Sequence, residues 1–558
     1  MTISLIAFAV VLLITYWWSN AGAFSALLHL ACVIVAGSVA FGVWEVASYP
    51  LLGSQGFDGY ARGTALIGSF IVTLLVLRFA TDKLVPMNLS LPRAADVVVG
   101  GAFGAASGVL SVGMLVISMG YFQSTVTIGD YTGWSRRSDV PTAPNFGSDN
   151  APVATLASVT AGFFEYLSWG SFTPWLGGGT LATHSPDLVR MSGSLNRDSY
   201  GEGLARITMQ PAALGGLEFV GGIRTPLIGA VNAPEEEAYA VSFTVAQDGF
   251  DGGGAQFVLT PSQVRLIGDS TGRPAATAHP LKWAQATNEM PLGVFYFGAP
   301  SNVATSVPAR GEGTFALFFA KKDLDGQSPK YVELKGVRYA LPKMKTVDDA
   351  LQALMGGGGA RQRVEDPDAT NIDSLVEFPD PTYAIGGTVI NSNDKGGLVT
   401  DSSNFIVGGE QKFPRNTSAA VGADLRIRGF QVSAEQRILR LDARAAAGGV
   451  RIFPDLNEWV RSAGAEAQDS RVAVIDADGS KYFAVGLVED DGQWVFVRSM
   501  GGRPLSLRDI PVQPIGSDKK LTLHFRVPAD VQIVGLVLST PKEDRVVNTM
   551  NQKVPKRE

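Results

Sequence analysis

Four long apolar runs occupy residues 3–18, 23–46, 64–79 and 95–122, and residues 1–122 as a whole carry only four basic and four acidic side chains. A helix needs about 20 apolar residues to cross a bilayer, with about 17 as the practical minimum. In water, each run would have to be buried on every side, and so few charges leave no polar face to solvate. The runs therefore predict four transmembrane helices over 1–122. The first run ends in Tyr16, Trp17 and Trp18, aromatics that favour the headgroup level. No Lys or Arg precedes it and no small-residue cleavage site follows, so it reads as a span rather than a signal peptide.

The remaining residues have an ordinary aqueous composition. Across all 558 residues, 46 Lys and Arg stand against 52 Asp and Glu, a formal charge of −6. That weak acidity argues against a nucleic-acid partner, which would call for a basic patch or stripe. A single cysteine, Cys32, excludes an internal disulfide and a multi-cysteine zinc site. With four histidines in the chain, no metal or cofactor is expected. Orientation follows from the loops. The third connection carries Arg78, Lys83 and Arg93, whereas the second carries only Arg62. Positive charge marks the cytoplasmic side, so the long C-terminal part is expected to be extracytoplasmic.

The fourth run places Asp96 ahead of Gly100, Gly104 and Gly108. A spacing of four puts the three glycines on one helix stripe. A neighbouring helix can then approach backbone to backbone, within the chain or in a homo-oligomer. Asp96 lies at the helix start, where the dipole favours a carboxylate. A channel or transporter is the alternative use of such a bundle, and only Glu45 and Asp96 are available to it.

In these residues the first 122 positions resemble the CvpA family, the membrane proteins named for colicin V production. The last membrane helix of that family reads Asp-Arg-x-x-Gly-x-x-x-Gly-x-x-x-Gly. The turn at Gly22–Phe24 before a long second helix is also similar. Val97 stands where the family has its arginine, and the family's basic turn before the second helix is uncharged here. The resemblance implies a non-catalytic membrane domain of the bacterial inner membrane with a periplasmic C-terminal region. Some members carry an extracytoplasmic trypsin-like protease behind the membrane part, which makes a search for a serine nucleophile worthwhile here.

Residues 123–235 read as a junction that contains an amphipathic helix over 152–168. There Val153, Leu156, Val159, Phe163, Phe164 and Leu167 recur at three and four. Trp169, Phe172 and Trp175 follow, and the helix is expected on the membrane surface or against the outer domains. Alternating strands fill 236–342 and 371–545. Between them, 343–370 reads as a short helix (347–355) and a linker built on Gly356–Gly359. Residues 546–558 read as a frayed basic tail. The two strand regions are expected to be immunoglobulin-like β-sandwiches and copies of one unit. Residues 264–273 correspond to 472–481. Likewise 314–319 with 331–334 correspond to 521–527 with 533–539.

Gly268-Asp-Ser270-Thr-Gly272 matches a nucleophile-elbow pattern, and His184 precedes it in trypsin-like order. An elbow needs a strand before it and a helix after it, but Arg273-Pro274 follows. The equivalent segment of the second copy, 476–479, is also rich in Asp and Gly, which favours a turn. Asp323 with Asp325, and Asp476 with Asp478, lack the later Glu and the oxygen count of a calcium loop. His524 alternates with Leu523 and Phe525 and is expected to face away from the core. The reading is therefore a non-enzymatic membrane protein that presents β-sandwiches to an envelope protein or cell-wall partner. A membrane-anchored serine hydrolase using Ser270 is the alternative.

Overall fold

A computed structural model describes residues 2–52, 57–85, 91–122, 134–136, 146–148, 151–173, 179–189, 191–192, 208–228, 233–250, 257–286, 291–297, 303–305, 312–346, 362–379, 396–401, 403–414, 427–432, 436–444, 450, 470–500, 504–511, 519–540 and 543–556. Among the described residues, four helices are long and apolar enough to cross a membrane. They are α1 (Thr2–Ala21), α2 (Ala23–Leu52), α3 (Ala61–Leu84) and α4 (Arg93–Gly120). Connections this short force neighbouring helices to run up and down. At one end the Ala23 N–H donates to Asp96 Oδ1 at 2.8 Å. At the other, the rings of Trp44 and Tyr121 lie 5.0 Å apart. α4 is central, packed on α1 and α2, while the outer faces of α1 and α3 leave Leu5, Phe8, Leu13, Val72, Leu75 and Phe79 exposed.

A helix does form at the junction, α5 (Ala151–Ser168), and it packs on α1, α2 and α4. The one-turn α6 (Leu181–His184) follows it. Two short strands, β1 (Trp134–Arg136) and β2 (Phe146–Ser148), pair between α4 and α5.

The first β region holds β3 (Leu214–Pro226), β4 (Glu235–Ala246), β5 (Val258–Leu259), β6 (Val264–Gly268), β7 (Thr277–Ala278), β8 (Pro280–Ala286) and β9 (Pro291–Tyr296). It continues through β10 (Ala304–Thr305), β11 (Glu312–Ala320), β12 (Pro329–Leu334), β13 (Val337–Ala340) and β14 (Lys345–Thr346). One sheet has the order β14-β3-β4-β11-β8-β9, and the other has β13-β12-β6-β7. Phe243, Phe315 and Leu317 from the first sheet meet Val264, Leu266 and Val332 from the second in one core.

The second region holds β15 (Gln362–Asn371), β16 (Val376–Glu377), β17 (Leu398–Thr400), β18 (Ile406–Pro414), β19 (Gln436–Asp442), β20 (Arg471–Asp476) and β21 (Lys481–Asp490). It ends with β22 (Trp494–Ser499), β23 (Lys520–Pro528), β24 (Gln532–Ser539) and β25 (Glu543–Lys553). The two regions share one pairing scheme. β13-β12-β6-β7 corresponds to β25-β24-β20-β21. β3-β4-β11-β8-β9 corresponds to β16-β19-β23-β21-β22. In the second copy a single strand, β21, serves both layers: residues 481–483 pair with β20 and residues 484–490 with β23. The internal repeat in the sequence therefore has a topological counterpart.

Several boundaries differ from expectation. β3 belongs to the first region and not to the junction. Its four glycines hide the alternation, because register shifts at Gly215/Glu218 and Val220/Ile223 bulge the strand, with Gly216 and Gly222 at positive φ. The supposed linker contains β15, paired parallel to β25, and Pro367 falls within its register shift, where a missing N–H is tolerated. The supposed tail is largely β25, with Val546, Val547 and Met550 buried, so charge masked a strand period there. His524 is fully buried and packs on Phe430 at 4.6 Å, because residues 427–432 cover the face that alternation assigned to water. The helix expected over 347–355 and the glycine run Gly356–Gly359 lie outside the described residues.

Candidate functional site at the helix–sheet junction

The β region is seated on the helix bundle. Leu52 at the end of α2 and Ala61 at the start of α3 belong to the same apolar core as Val264, Leu334 and Val337. Beside that core lies a half-buried set of charges. Glu45 and Tyr49 sit one turn apart on α2, so they share a face. The Tyr49 hydroxyl donates to Glu45 Oε1 at 3.2 Å, and Arg338 Nε donates to the same oxygen at 3.1 Å. His184 Nε2 lies 2.8 Å from Glu45 Oε2. Arg338 also donates to the His184 carbonyl.

A second group adjoins the first. Arg62, in the first turn of α3, lies 5.1 Å from the Trp44 ring and 5.7 Å from the Tyr121 ring, both on their faces. Its Nη1 donates to Glu333 Oε1 at 3.4 Å, with the side chains only 2% and 6% exposed. Arg265 donates to Glu333 Oε2 through Nε at 3.1 Å and Nη2 at 2.9 Å, and to the Pro186 carbonyl at 2.7 Å. The hairpin between β12 and β13 turns on Lys335 and Gly336, both at positive φ. A Cβ at Gly336 would lie 2.7 Å from Arg62 Nη1, so the glycine is what lets the guanidinium reach the turn.

Such a set holds geometry more than it adds stability. A buried ion pair roughly balances its desolvation, yet removing one member strands a charge. The chemistry is thus that of a keyed joint between helices and sheets. Beside it lies a cavity of about 240 Å³ lined by residues that include Ser158, Glu165, Ser185 and Asp187.

The residues singled out by sequence do not converge here. Asp96 accepts from the Ala23 N–H, so one carboxylate serves the starts of both α2 and α4. Asp96→Ala is expected to cost about 0.5–2 kcal/mol in thermal unfolding of the detergent-solubilised chain, and Asp96→Asn less, because the amide keeps an acceptor. Gly100, Gly104 and Gly108 receive α1 of the same chain: Cβ atoms there would lie 3.0 Å from Trp18 O, 3.1 Å from Thr15 O and 3.2 Å from Val11 O. A homo-oligomer through this stripe would have to displace α1. Ser270 lies half-buried on the β6–β7 turn and donates to the Arg273 carbonyl at 2.7 Å, whereas the His184 ring is engaged with Glu45. Among the described residues, no three or more His, Cys, Asp or Glu side chains gather as metal ligands.

Arg265, Glu333 and Arg338 were missed. Val264-Arg-Leu-Ile-Gly268 reads as a half-exposed strand, but every residue of it is buried, and Arg265 is held there by Glu333 and by the Pro186 carbonyl just after α6. An arginine inside so apolar a strand was the available signal. Compared with family models, curated proteins and solved structures, the chain matches none.

Proposed function

We propose that this chain is a CvpA-like protein of a bacterial inner membrane that holds two immunoglobulin-like sandwiches on the extracytoplasmic side. There they bind or scaffold an envelope component without catalysis. The joint at Glu45, Arg62, Glu333 and Arg338 carries the reading. It makes the β region a rigid continuation of the bundle, so force or orientation imposed by a partner reaches the membrane helices. The order β3-β4-β11-β8 facing β13-β12-β6 supports the immunoglobulin-like description, since it matches strands A-B-E-D over G-F-C. The second copy, with β16-β19-β23-β21 and β25-β24-β20, gives the same support.

Charge supports the orientation. Arg78 reaches Ser25 at 3.2 Å and Trp18 at 5.1 Å, at the bundle end remote from the β region, and Lys83 and Arg93 share that end. Arg62, the basic residue at the β end, is buried against Glu333 and offers no free charge to a headgroup. In spheroplasts treated with an impermeant maleimide, Val399→Cys is expected to label before lysis and Lys83→Cys only after it. The reverse order would overturn the orientation.

A further inference from the structure

The geometry points to α5 as a helix lying in the plane of the bilayer, its outer stripe sunk into the headgroup–acyl boundary of the leaflet nearer the β region. The first ground is height. α2 and α4 run side by side, with Ala23 level with Asp96 and Trp44 level with Tyr121, so Gly37 stands at about the height of Gly113. Phe164 fills the notch at Gly37, and Thr160 fills the notch at Gly113 while donating to the Val109 carbonyl at 3.3 Å. Thr160 and Phe164 are one turn apart on α5, yet they meet the bundle at one level. α5 therefore crosses the helices instead of running along them. Gly113 is seven residues short of the α4 terminus at Gly120, which at 1.5 Å per residue is about 10 Å beneath it. That depth is where in-plane helices lie.

Sidedness is the second ground. Ala157, Thr160, Ala161 and Phe164 are buried, and Glu165, the helix's only charged residue, lines the neighbouring cavity. The opposite stripe of Thr155, Val159, Gly162 and Tyr166 is exposed and uncharged, with Val159 54% and Tyr166 77% exposed. A stripe facing water would ordinarily carry charge. Trp169 and Phe172 continue it as exposed aromatics, the residue types enriched at the headgroup level. A stripe that is exposed, uncharged and prolonged by aromatics fits lipid as its occupant.

The inference rests on the helices being membrane-embedded, and one experiment tests both separately. Nitroxides are attached to Thr155→Cys, Val159→Cys and Tyr166→Cys in full-length Cys32→Ser protein, in vesicles of phosphatidylethanolamine and phosphatidylglycerol. Collision with oxygen and with a water-soluble nickel chelate then reads depth. Val72→Cys marks the bilayer interior and Val399→Cys marks water. All three α5 labels are expected at one shallow depth between these markers. A water-like reading equal to Val399 would overturn the proposal. So would a depth difference of about 16 Å between 155 and 166, the length of a spanning segment. Loss of collision with both reagents would also overturn it, since a protein surface would then cover the stripe. If Val72 itself read as water, the membrane reading would fall, and this inference with it.

Discussion

Glu333→Gln is expected to destabilise the seated β region by about 3–5 kcal/mol, because it leaves Arg62 and Arg265 buried without their shared carboxylate. Thermal unfolding and limited proteolysis of the detergent-purified chain would read the loss. Adding Arg62→Met should recover part of it by removing one stranded charge, which a simple packing defect at 333 would not predict. Glu237→Gln, which breaks an exposed pair with Lys321, is expected to change nothing measurable. Acid should act in the same direction as the mutation. Burial alone would raise the Glu333 carboxyl, but Arg265, Arg62 and Arg338 outweigh it and hold its pKa at about 2, below the ordinary 4.5. A carboxyl depressed by folding contributes stability above its unfolded pKa and loses it as pH falls toward the folded one. Stability should therefore decline from about pH 5 to about pH 2, and that acid slope should be shallower in Glu333→Gln. Equal slopes in the two proteins would remove Glu333 from the joint.

The two halves of the fold were legible for different reasons. A bilayer demands a long uncharged run, so α1 to α4 stand out in one dimension, with ends only a few residues from those of the apolar runs. Strands announce themselves by alternation, and this worked for strands such as β4, β22 and β24, in which buried and less buried residues alternate. It failed at Arg265, where every residue of β6 is buried, and at His524, where Phe430 covers one position of an otherwise half-buried face. The joint was illegible for a further reason. Arg62 and Glu333 are 271 residues apart, and neither has a local pattern that names the other. Glu45 drew notice as an intramembrane acid, but its partners, Arg338 and His184, come from the β region and from α6.

Gly104→Leu should separate α1 from α4. A Cβ there would lie 2.9 Å from Trp18 Cβ, 3.1 Å from Thr15 O and 3.2 Å from Thr15 Cα. The last two are backbone atoms, which cannot rotate away as a side-chain tip can, so the whole of α1 has to move. Overpacking of this kind costs about 1–3 kcal/mol even in cores that adjust. α1 buries little else, with Ile3 and Ala7 its deeply buried side chains, so it has few contacts to fall back on. Gly68→Leu on α3 is the control, since nothing lies within 4 Å of its Cβ position. A disulfide can report the contact directly: a Cβ at Gly101 would lie 3.6 Å from Ser19 Cβ, inside the range that bridged cysteines adopt. Ser19→Cys with Gly101→Cys should cross-link within one chain on oxidation, persist with Gly68→Leu and vanish with Gly104→Leu. A cross-linked dimer on a non-reducing gel would mean instead that the stripe receives a second copy. A cross-link that survived Gly104→Leu would show that the glycines do not set the distance between these helices.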